Sequence, residues 1–264
     1  MAEGSLLPPL RGEKATGEFP FRDLEDRLLF GDLPGIATIV VPEERREVLR
    51  SYVTAHLEEE IRRETAIRDY GLFLRFLRFA AAESGGILNL QALSRESGLS
   101  APTIRAHYQL LEDMFLGYTI PAFSGSPRKS ALSSPRFLFF DLGMRNAAAR
   151  LHLDMDTVRA NPGPLFKQWV GGEIYKRLRY KGSGTLSYFR TSAGAEVDFI
   201  IEDEGSIYPI EVKWTERPTL SDAKHMLAFM KDHPDRARRG YIVCRCPYPL
   251  ELSGSISAIP WWGL

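Results

Sequence analysis

Three charged residues stand in or beside two apolar stretches of the sequence. Asp198 interrupts the run Val197–Ile201, and Glu211 and Lys213 close the run Ile207–Val212. Runs rich in Val, Ile, Phe and Tyr, separated by an acidic turn with a glycine, predict the two strands of a hairpin. Charges inside an apolar strand are costly unless they are paired or bind a metal. Two carboxylates and a lysine on neighbouring strands could hold Mg²⁺ and activate a water molecule beside a phosphate.

An Asp followed one hairpin later by Glu-x-Lys resembles the signature of the PD-(D/E)xK nuclease superfamily. The resemblance is carried by Asp198, Glu211, Val212 and Lys213. It implies a DNA phosphodiesterase that uses Mg²⁺ or Mn²⁺, with Asp198, Glu211 and the Val212 carbonyl as metal ligands. Lys213 would orient or deprotonate the attacking water and stabilise developing charge. The alternative is a pair of strands with a buried Glu–Lys ion pair and no chemistry.

The composition is that of an ordinary globular protein. The chain has 264 residues and a formal net charge of zero, so any contact with nucleic acid must come from local patches. No apolar run approaches the length of a membrane span, nothing at the N-terminus resembles a secretion signal, and no Walker A loop is present. The two cysteines, Cys244 and Cys246, would point to opposite faces of a strand, which argues against a mutual disulfide. We therefore expect a reduced, cytoplasmic protein that does not bind membranes.

Residues 1–68 form the first predicted segment. The part up to about residue 40 is rich in Pro and Gly, with one short helix expected at Phe21–Leu29. A long helix should run from Pro42 to about Asp69, because apolar residues recur every three to four positions and acids stand near its start.

Residues 69–150 read as a winged-helix domain. A short helix, a turn containing Gly98 and a second helix make a helix-turn-helix layout, and two strands follow. The predicted elements are helices Leu72–Ala82, Leu90–Ser97 and Ala101–Phe115, and strands Tyr118–Phe123 and Phe137–Phe140.

The winged-helix layout predicts contacts with duplex DNA. Thr103, Arg105 and Gln109 lie off the apolar stripe of the second helix, where a recognition helix meets a groove. The loop between the two strands is basic, and its candidates for phosphate contact are Arg128, Lys129 and Arg136. Many winged helices bind proteins instead, and that alternative stays open.

Residues 160–264 read as a second globular domain, after a stretch at Asp141–Gly163 that looks like a linker. The expected order is αβββαβ with a central mixed sheet, the core of the restriction-endonuclease-like fold. The elements are helix Pro164–Tyr180, strands Thr185–Arg190, Glu196–Ile201 and Ile207–Lys213, helix Leu220–Lys231 and strand Gly240–Cys244. The fold class is therefore α/β (α+β overall), with a helical first half.

A wider resemblance covers nearly the whole chain from about Leu29. Its most specific piece is R-T-S-A-G-A-E-V-D-F at Arg190–Phe199. The chain resembles the C-terminal module of a large prokaryotic group of AAA+ superfamily ATPases, a domain of unknown function with the number 4143. The resemblance implies that residues 1–68 are similar to the end of an ATPase lid, and that the partner is an AAA+ ATPase or a second copy. The ATPase domain itself is missing from this sequence.

One departure from the family pattern concerns the first helix of the last domain. Lys167 stands where the resemblance would place a metal-binding acid. Glu173, one to two turns on, falls within the apolar arc of that helix and could replace it. The alternative for Glu173 is an ion pair with Arg177, four residues away.

A further basic candidate for DNA contact ends the strand before Asp198. Arg190 could meet a phosphate or pair with Glu196. Two functions therefore stay open: a metal-dependent DNA phosphodiesterase, and a catalytically degenerate DNA-binding or assembly module that works with an ATPase. Intact Asp198, Glu211 and Lys213 favour the first function, and Lys167 favours the second.

Overall fold

The computed structural model describes residues 5–11, 22–57, 59, 69–124, 130 and 133–264. The chain divides into two compact units. The helical unit comprises Glu18–Thr119 and Arg136–Gln168, and the sheet unit comprises Met1–Gly17, Ile120–Pro135 and Trp169–Leu264. The predicted lid segment (1–68) and winged-helix segment (69–150) lie mostly in the helical unit, but Met1–Gly17 and Ile120–Pro135 belong to the sheet unit.

The helical unit contains eight helices and two strands within the described residues. The helices are α1 (Leu24–Phe30), α2 (Pro34–Ala37), α3 (Pro42–Ser51), α4 (Tyr70–Ala82), α5 (Leu90–Ser97), α6 (Ala101–Asp113), α7 (Leu142–Ala148) and α8 (Met155–Ala160). The strands β1 (Gly117–Ile120) and β2 (Arg136–Phe139) form a two-stranded sheet.

Polar side chains define where these helices begin. Asp69, Asn89 and Ser100 each precede a helix and accept a hydrogen bond from a backbone N–H in its first turn. At the end of α5, Gly98 has a φ of 75°, a left-handed conformation that glycine adopts without strain. The sequence therefore marks the ends of α4, α5 and α6 closely, and these three helices lie where they were predicted.

Aromatic rings from α4, α6 and β2 build the core of this region. Phe76 packs against Tyr108 with ring centroids 4.9 Å apart, and Tyr108 packs against Phe137 at the same distance. His107 is buried between Phe73 and Phe76, and burial lowers its pKa. The winged-helix assignment of these elements stays a prediction.

One prediction about the helical unit, the linker, needs correction. The stretch Asp141–Gly163 was expected to be a linker, but it contains α7 and α8, and every residue of α7 is buried. The side chain of Asn146 on α7 donates to the carbonyl oxygens of Leu28 and Leu29 at 3.0 and 2.9 Å. A short helix buried on all sides shows no amphipathic period, so the pattern could not reveal it.

The first two predicted helices also differ from the structure. The short helix expected at Phe21–Leu29 lies at Leu24–Phe30, with Phe21 outside the described residues. The long helix expected from Pro42 is α-helical only to Ser51 and continues as a π-helix over Tyr52–Leu57. Its remainder, at positions 58 and 60–68, lies outside the described residues.

The long helix α9 (Pro162–Lys181) leads into the last stretch of the sheet unit, which begins at Trp169. The sheet has six strands in the order β3-β4-β5-β6-β8-β7. The elements are β3 (Thr185–Arg190), β4 (Glu196–Asp203), β5 (Ser206–Val212), a 3₁₀ helix (Leu220–Ala223), α10 (Lys224–Asp232), β6 (Gly240–Cys244), β7 (Leu250–Glu251) and β8 (Ile256–Pro260).

The sheet is mixed, as predicted. Strands β3, β4 and β5 are antiparallel neighbours, β5, β6 and β8 run parallel, and β7 pairs antiparallel with β8. Helix α10 packs Met226 and Phe229 into one apolar cluster with Ile200, Ile207 and Ile242 of three strands. The predicted fold class, a helical half followed by an α/β half with a central mixed sheet, is confirmed.

Two further findings concern the sequence expectations about the chain as a whole. Cys244 and Cys246 are buried free cysteines. Among the described residues, no helix is both long and apolar enough to cross a membrane.

Candidate active site

Strands β4 and β5 bring the two acids of the sequence pattern together. Phe199 pairs with Ile210 in the antiparallel register, so Asp198 and Glu211 occupy the next opposed positions and share one face. Asp198 and Glu211 are 4% and 3% exposed. The carboxylate of Asp198 accepts a hydrogen bond from the backbone N–H of Val212 at 2.9 Å. The two carboxylates therefore lie at one buried point at the end of the hairpin.

A bulge on the other side of β4 coincides with this point. Ser187 of β3 pairs with Ile200, whereas Phe189 pairs with Val197. Two residues of β4, one of them Asp198, therefore face a single residue of β3. Bulges of this kind bend a strand and redirect a side chain, and they are frequent beside active sites.

Lys213 completes the cluster. Its Nζ lies 3.1 Å from Oε2 of Glu211, and its side chain is 36% exposed. Burial by itself lowers the pKa of Lys213, but attraction to Glu211, Asp198 and Asp222 outweighs burial, and the net pKa is raised. Lys213 is therefore a charged ammonium at neutral pH.

Glu211 is held in an unusual state for a carboxyl group. Burial and, to a smaller extent, repulsion from Asp198 raise its pKa to about 8, although Lys213 opposes the rise. Two carboxylates in one buried site cannot both ionise without cost, so the pair retains a proton near neutral pH. A divalent cation bound by both carboxylates would displace this proton, because a carboxyl group must be ionised to act as a metal ligand.

Asp222 is a further acid near the cluster, in the 3₁₀ helix that follows β5. It accepts the backbone N–H of Thr219 at 2.8 Å in a capping box. It also raises the pKa of Lys213, so its charge acts on the cluster. The spacing of Thr219 and Asp222 in the sequence indicates a helix cap. No local sequence pattern indicates that this turn comes close to the end of β5.

The other predicted metal ligand on α9 is already paired. Glu173 forms an ion pair with Lys176, three residues on, rather than with the predicted alternative, Arg177. Glu173 is not among the groups that shift the pKa of Glu211. Within the described ranges, no group of three or more His, Cys, Asp or Glu side chains is arranged to hold a metal ion. Lys167 lies on the first part of α9 and is half-buried.

The side chains predicted to contact DNA differ in their exposure and in their hydrogen-bond or ion-pair partners. On α6, Arg105 is exposed, the hydroxyl of Thr103 lies 2.8 Å from that of Ser100, and Gln109 donates to Asp113 at 3.0 Å. Of the three, Arg105 is the one whose side chain has no partner among the described residues. In the sheet unit, Arg190 lies 3.8 Å from Glu196, which is the ion-pair alternative for that residue.

The predicted basic loop requires one correction. Arg136 was expected to be available for phosphate contact, but it begins β2 and is 2% exposed. A buried guanidinium cannot reach a nucleic-acid backbone. The other two predicted loop residues, Arg128 and Lys129, lie outside the described residues.

Two family models match the chain. Residues 21–155, half of the sequence, match a family described as Domain of unknown function (DUF8612), and the chain belongs to that family. Residues 162–264 match Domain of unknown function (DUF4143). The predicted resemblance to domain 4143 is thus confirmed for the last part of the chain. The expectation that it begins near Leu29 is corrected, because the first half matches a different family.

The chain is also similar to two curated proteins, and both are described as uncharacterized. An uncharacterized protein of Mycobacterium bovis, Mb2031c, is 24% identical over 236 residues, which cover 89% of this chain and 52% of the relative. An uncharacterized protein of Mycobacterium tuberculosis, Rv2008c, gives the same figures. The chain therefore spans about half the length of these relatives. No solved structure matches the chain.

Proposed function

We propose that the chain carries a divalent-cation-dependent DNA phosphodiesterase site. The observation that supports this proposal most is the buried pair of carboxylates, Asp198 and Glu211, beside the charged Lys213. A hairpin built only for stability has little reason to bury two acids against each other. Perturbed acids clustered with a lysine are typical of functional sites.

The donor set suits Mg²⁺ or Mn²⁺ better than a cation that needs a complete protein cage. Mg²⁺ is commonly held by one or two carboxylates, and it retains several waters and uses the phosphates of its substrate. Asp198 and Glu211 would supply the carboxylates, and the carbonyl of Val212 could add one more oxygen. A bound cation would supply Lewis acidity toward a phosphoryl oxygen and lower the pKa of a bound water.

Lys213 and the backbone N–H of Val212 would supply the other roles in this site. Lys213 is charged and about one-third exposed, so its ammonium can reach outward while remaining tied to Glu211. In that position it would orient the attacking water or stabilise the negative charge that develops on the phosphate. The N–H of Val212 fixes the carboxylate of Asp198, so this acid keeps one orientation.

Duplex DNA is the proposed substrate because the helical unit contains the elements that are predicted to form a winged-helix domain. The exposed Arg105 on α6 is available for a phosphate contact. The C-terminal residues match domain 4143. The sequence also resembles the C-terminal module of AAA+ ATPases, and this resemblance supports an ATPase as a partner of the chain.

A second candidate function is a degenerate module that assembles with an ATPase and performs no chemistry. It is favoured by the ion pair between Glu173 and Lys176, which occupies the one additional acid predicted as a ligand. It is also favoured by the absence, in the part of the chain that the structure describes, of a group of three or more metal-binding side chains.

Nicking of supercoiled plasmid separates the two functions. We expect slow nicking by the wild type with Mn²⁺ or Mg²⁺ and none with EDTA. We expect Lys213→Ala to reduce the rate by about 100-fold, within the range of a positioned acid–base group. Lys231→Ala is the matched control, because Lys231 is an exposed lysine on α10, and its rate should equal that of the wild type.

Two outcomes would contradict the phosphodiesterase proposal. Equal rates for the wild type and Lys213→Ala would assign the nicking to a contaminant. No nicking by the wild type with either cation would leave the degenerate module as the function of this site.

A further inference from the structure

A pocket lies in the sheet unit, where β5 and β6 begin. It is a cavity of about 390 Å³, within the size range of small-molecule sites. Its lining combines two tyrosines, Tyr208 and Tyr241, with three arginines, Arg236, Arg238 and Arg239. None of these residues has a role in the candidate active site.

The pocket is separate from the Asp198–Glu211 cluster. Tyr208 and Glu211 are three residues apart on β5, so alternation places them on opposite faces of the strand. Tyr241 pairs in register with Ile210 and shares the face of Tyr208. The cluster and the pocket therefore use different faces of the same two strands.

Tyr241 presents a polar group without an internal partner. The residue is 4% exposed, yet its hydroxyl has no hydrogen bond to any described residue, although it lines the cavity. The hydroxyl is not one of the described side-chain atoms that are fully enclosed without a partner, so it is open to the cavity. Burial raises the pKa of Tyr241, so the hydroxyl is neutral at physiological pH and can donate a hydrogen bond.

Two of the arginines are held in place by neighbouring acids. Arg236 donates to Glu202 at 2.9 Å and to the carbonyl oxygen of Gly205 at 3.0 Å. Arg239 donates to Glu251 at 2.7 Å and to the hydroxyl of Ser257 at 3.1 Å. Each guanidinium has five N–H donors, so each has donors to spare while its position is fixed.

Arg238 supplies the free positive charge. It is exposed, and its side chain has no ion pair or hydrogen bond with any described residue. Among the described residues of the lining, the one acid is Asp235, which is also exposed. Because the carboxylates of Glu202 and Glu251 already balance Arg236 and Arg239, Arg238 is the residue on which an anion would depend most.

We propose that this pocket binds a phosphate monoester. A guanidinium matches the oxygens of a phosphate in a bidentate arrangement, and a neutral tyrosine hydroxyl adds a donor. The cavity is larger than a phosphate ion needs, so the phosphate would belong to a larger molecule. That molecule is either a free mononucleotide or the 5′-phosphorylated end of a nucleic-acid strand, and both present the same group.

Binding can be measured by calorimetry on the full chain in EDTA, which removes any contribution from a cation site. The probes are inorganic phosphate, adenosine monophosphate, and one short single-stranded oligonucleotide with and without a 5′-phosphate. We expect Arg238→Ala to weaken the affinity for adenosine monophosphate about tenfold, as for the loss of one charge-assisted contact. Tyr241→Phe should weaken it by a smaller factor while keeping the ring packed.

The matched control is Arg75→Ala, which removes an exposed arginine from α4 of the helical unit. Its affinity should equal that of the wild type. Tighter binding of adenosine monophosphate than of the phosphorylated oligonucleotide would identify a nucleotide site, and the reverse order would identify a strand-end site.

Three results would overturn the proposal. They are equal loss of affinity in Arg75→Ala and Arg238→Ala, equal and measurable affinity for the oligonucleotide with and without its phosphate, and no binding of any probe by the wild type. Because these measurements need neither a cation nor cleavage, they test the phosphate pocket independently of the phosphodiesterase proposal.

Discussion

Glu211→Gln is expected to remove most of the pH dependence of the sheet unit's stability between about pH 4.5 and pH 8. Burial and the nearby charge of Asp198 raise the pKa of Glu211 from 4.5 in the unfolded chain to about 8 in the folded protein. The folded state therefore binds this proton more tightly than the unfolded state does. The stabilisation is fully present below pH 4.5 and is lost as the pH rises through 8.

The size of this loss follows from the same two values. A shift of one pKa unit corresponds to about 1.4 kcal/mol, so the wild type should lose on the order of 3 to 5 kcal/mol across the window. Glutamine keeps the shape of the protonated acid and cannot ionise. At pH 5 the variant and the wild type should therefore be similar in stability, and at pH 8.5 the variant should be more stable.

Tryptophan fluorescence isolates the sheet unit in this measurement. All four tryptophans of the chain belong to it, at positions 169, 214, 261 and 262. The measurement is urea unfolding of the full chain at a series of pH values in EDTA. Glu216→Gln is the control, because Glu216 is an exposed acid paired with Arg245, and its curve should follow the wild type. Parallel curves for Glu211→Gln and the wild type would show that Glu211 ionises normally.

Asn146→Ala is expected to destabilise the helical unit by about 3 kcal/mol. Asn146 is fully buried, and its amide donates to the last carbonyls of α1, at Leu28 and Leu29. Its carbonyl oxygen accepts from Arg145 at 3.0 Å. Alanine would leave three buried polar groups without this partner, and each unsatisfied group carries a desolvation penalty.

Far-ultraviolet circular dichroism suits this second measurement, because most of the helices belong to the helical unit. The matched control is Asn161→Ala, since Asn161 is exposed at the end of α8 and has no side-chain hydrogen bond to a described residue. Its unfolding midpoint should stay within experimental error of the wild type. A similar midpoint for Asn146→Ala would show that α7 is not held to α1 by this side chain.

The hairpin and its acids could be predicted from the sequence because local rules determine them. The apolar runs fix β4 and β5, and the short acidic turn fixes their register, so the opposition of Asp198 and Glu211 follows from alternation. The caps at Asn89 and Ser100 are equally local. The fold class followed from these elements taken in order.

The features that were missed depend on contacts between distant parts of the chain. Helix α7 is short and buried on all sides, so nothing in its pattern separates it from a linker. Arg136 stands in a basic loop sequence, but strand β2 begins with it and buries it. The action of Asp222 on Lys213 depends on how the turn after β5 folds back, which local propensity cannot show.

A calorimetric titration of the full chain with Mn²⁺ at pH 8.5 shows whether Asp198 and Glu211 form a cation site. Asp198→Asn keeps the shape of the side chain and removes its charge, and Asp235→Asn is a control at an exposed acid outside the cluster. We expect one site for Mn²⁺ in the wild type and in Asp235→Asn, and at least tenfold weaker binding in Asp198→Asn. Equal titrations of the wild type and Asp198→Asn, whether both bind or neither does, would contradict this expectation.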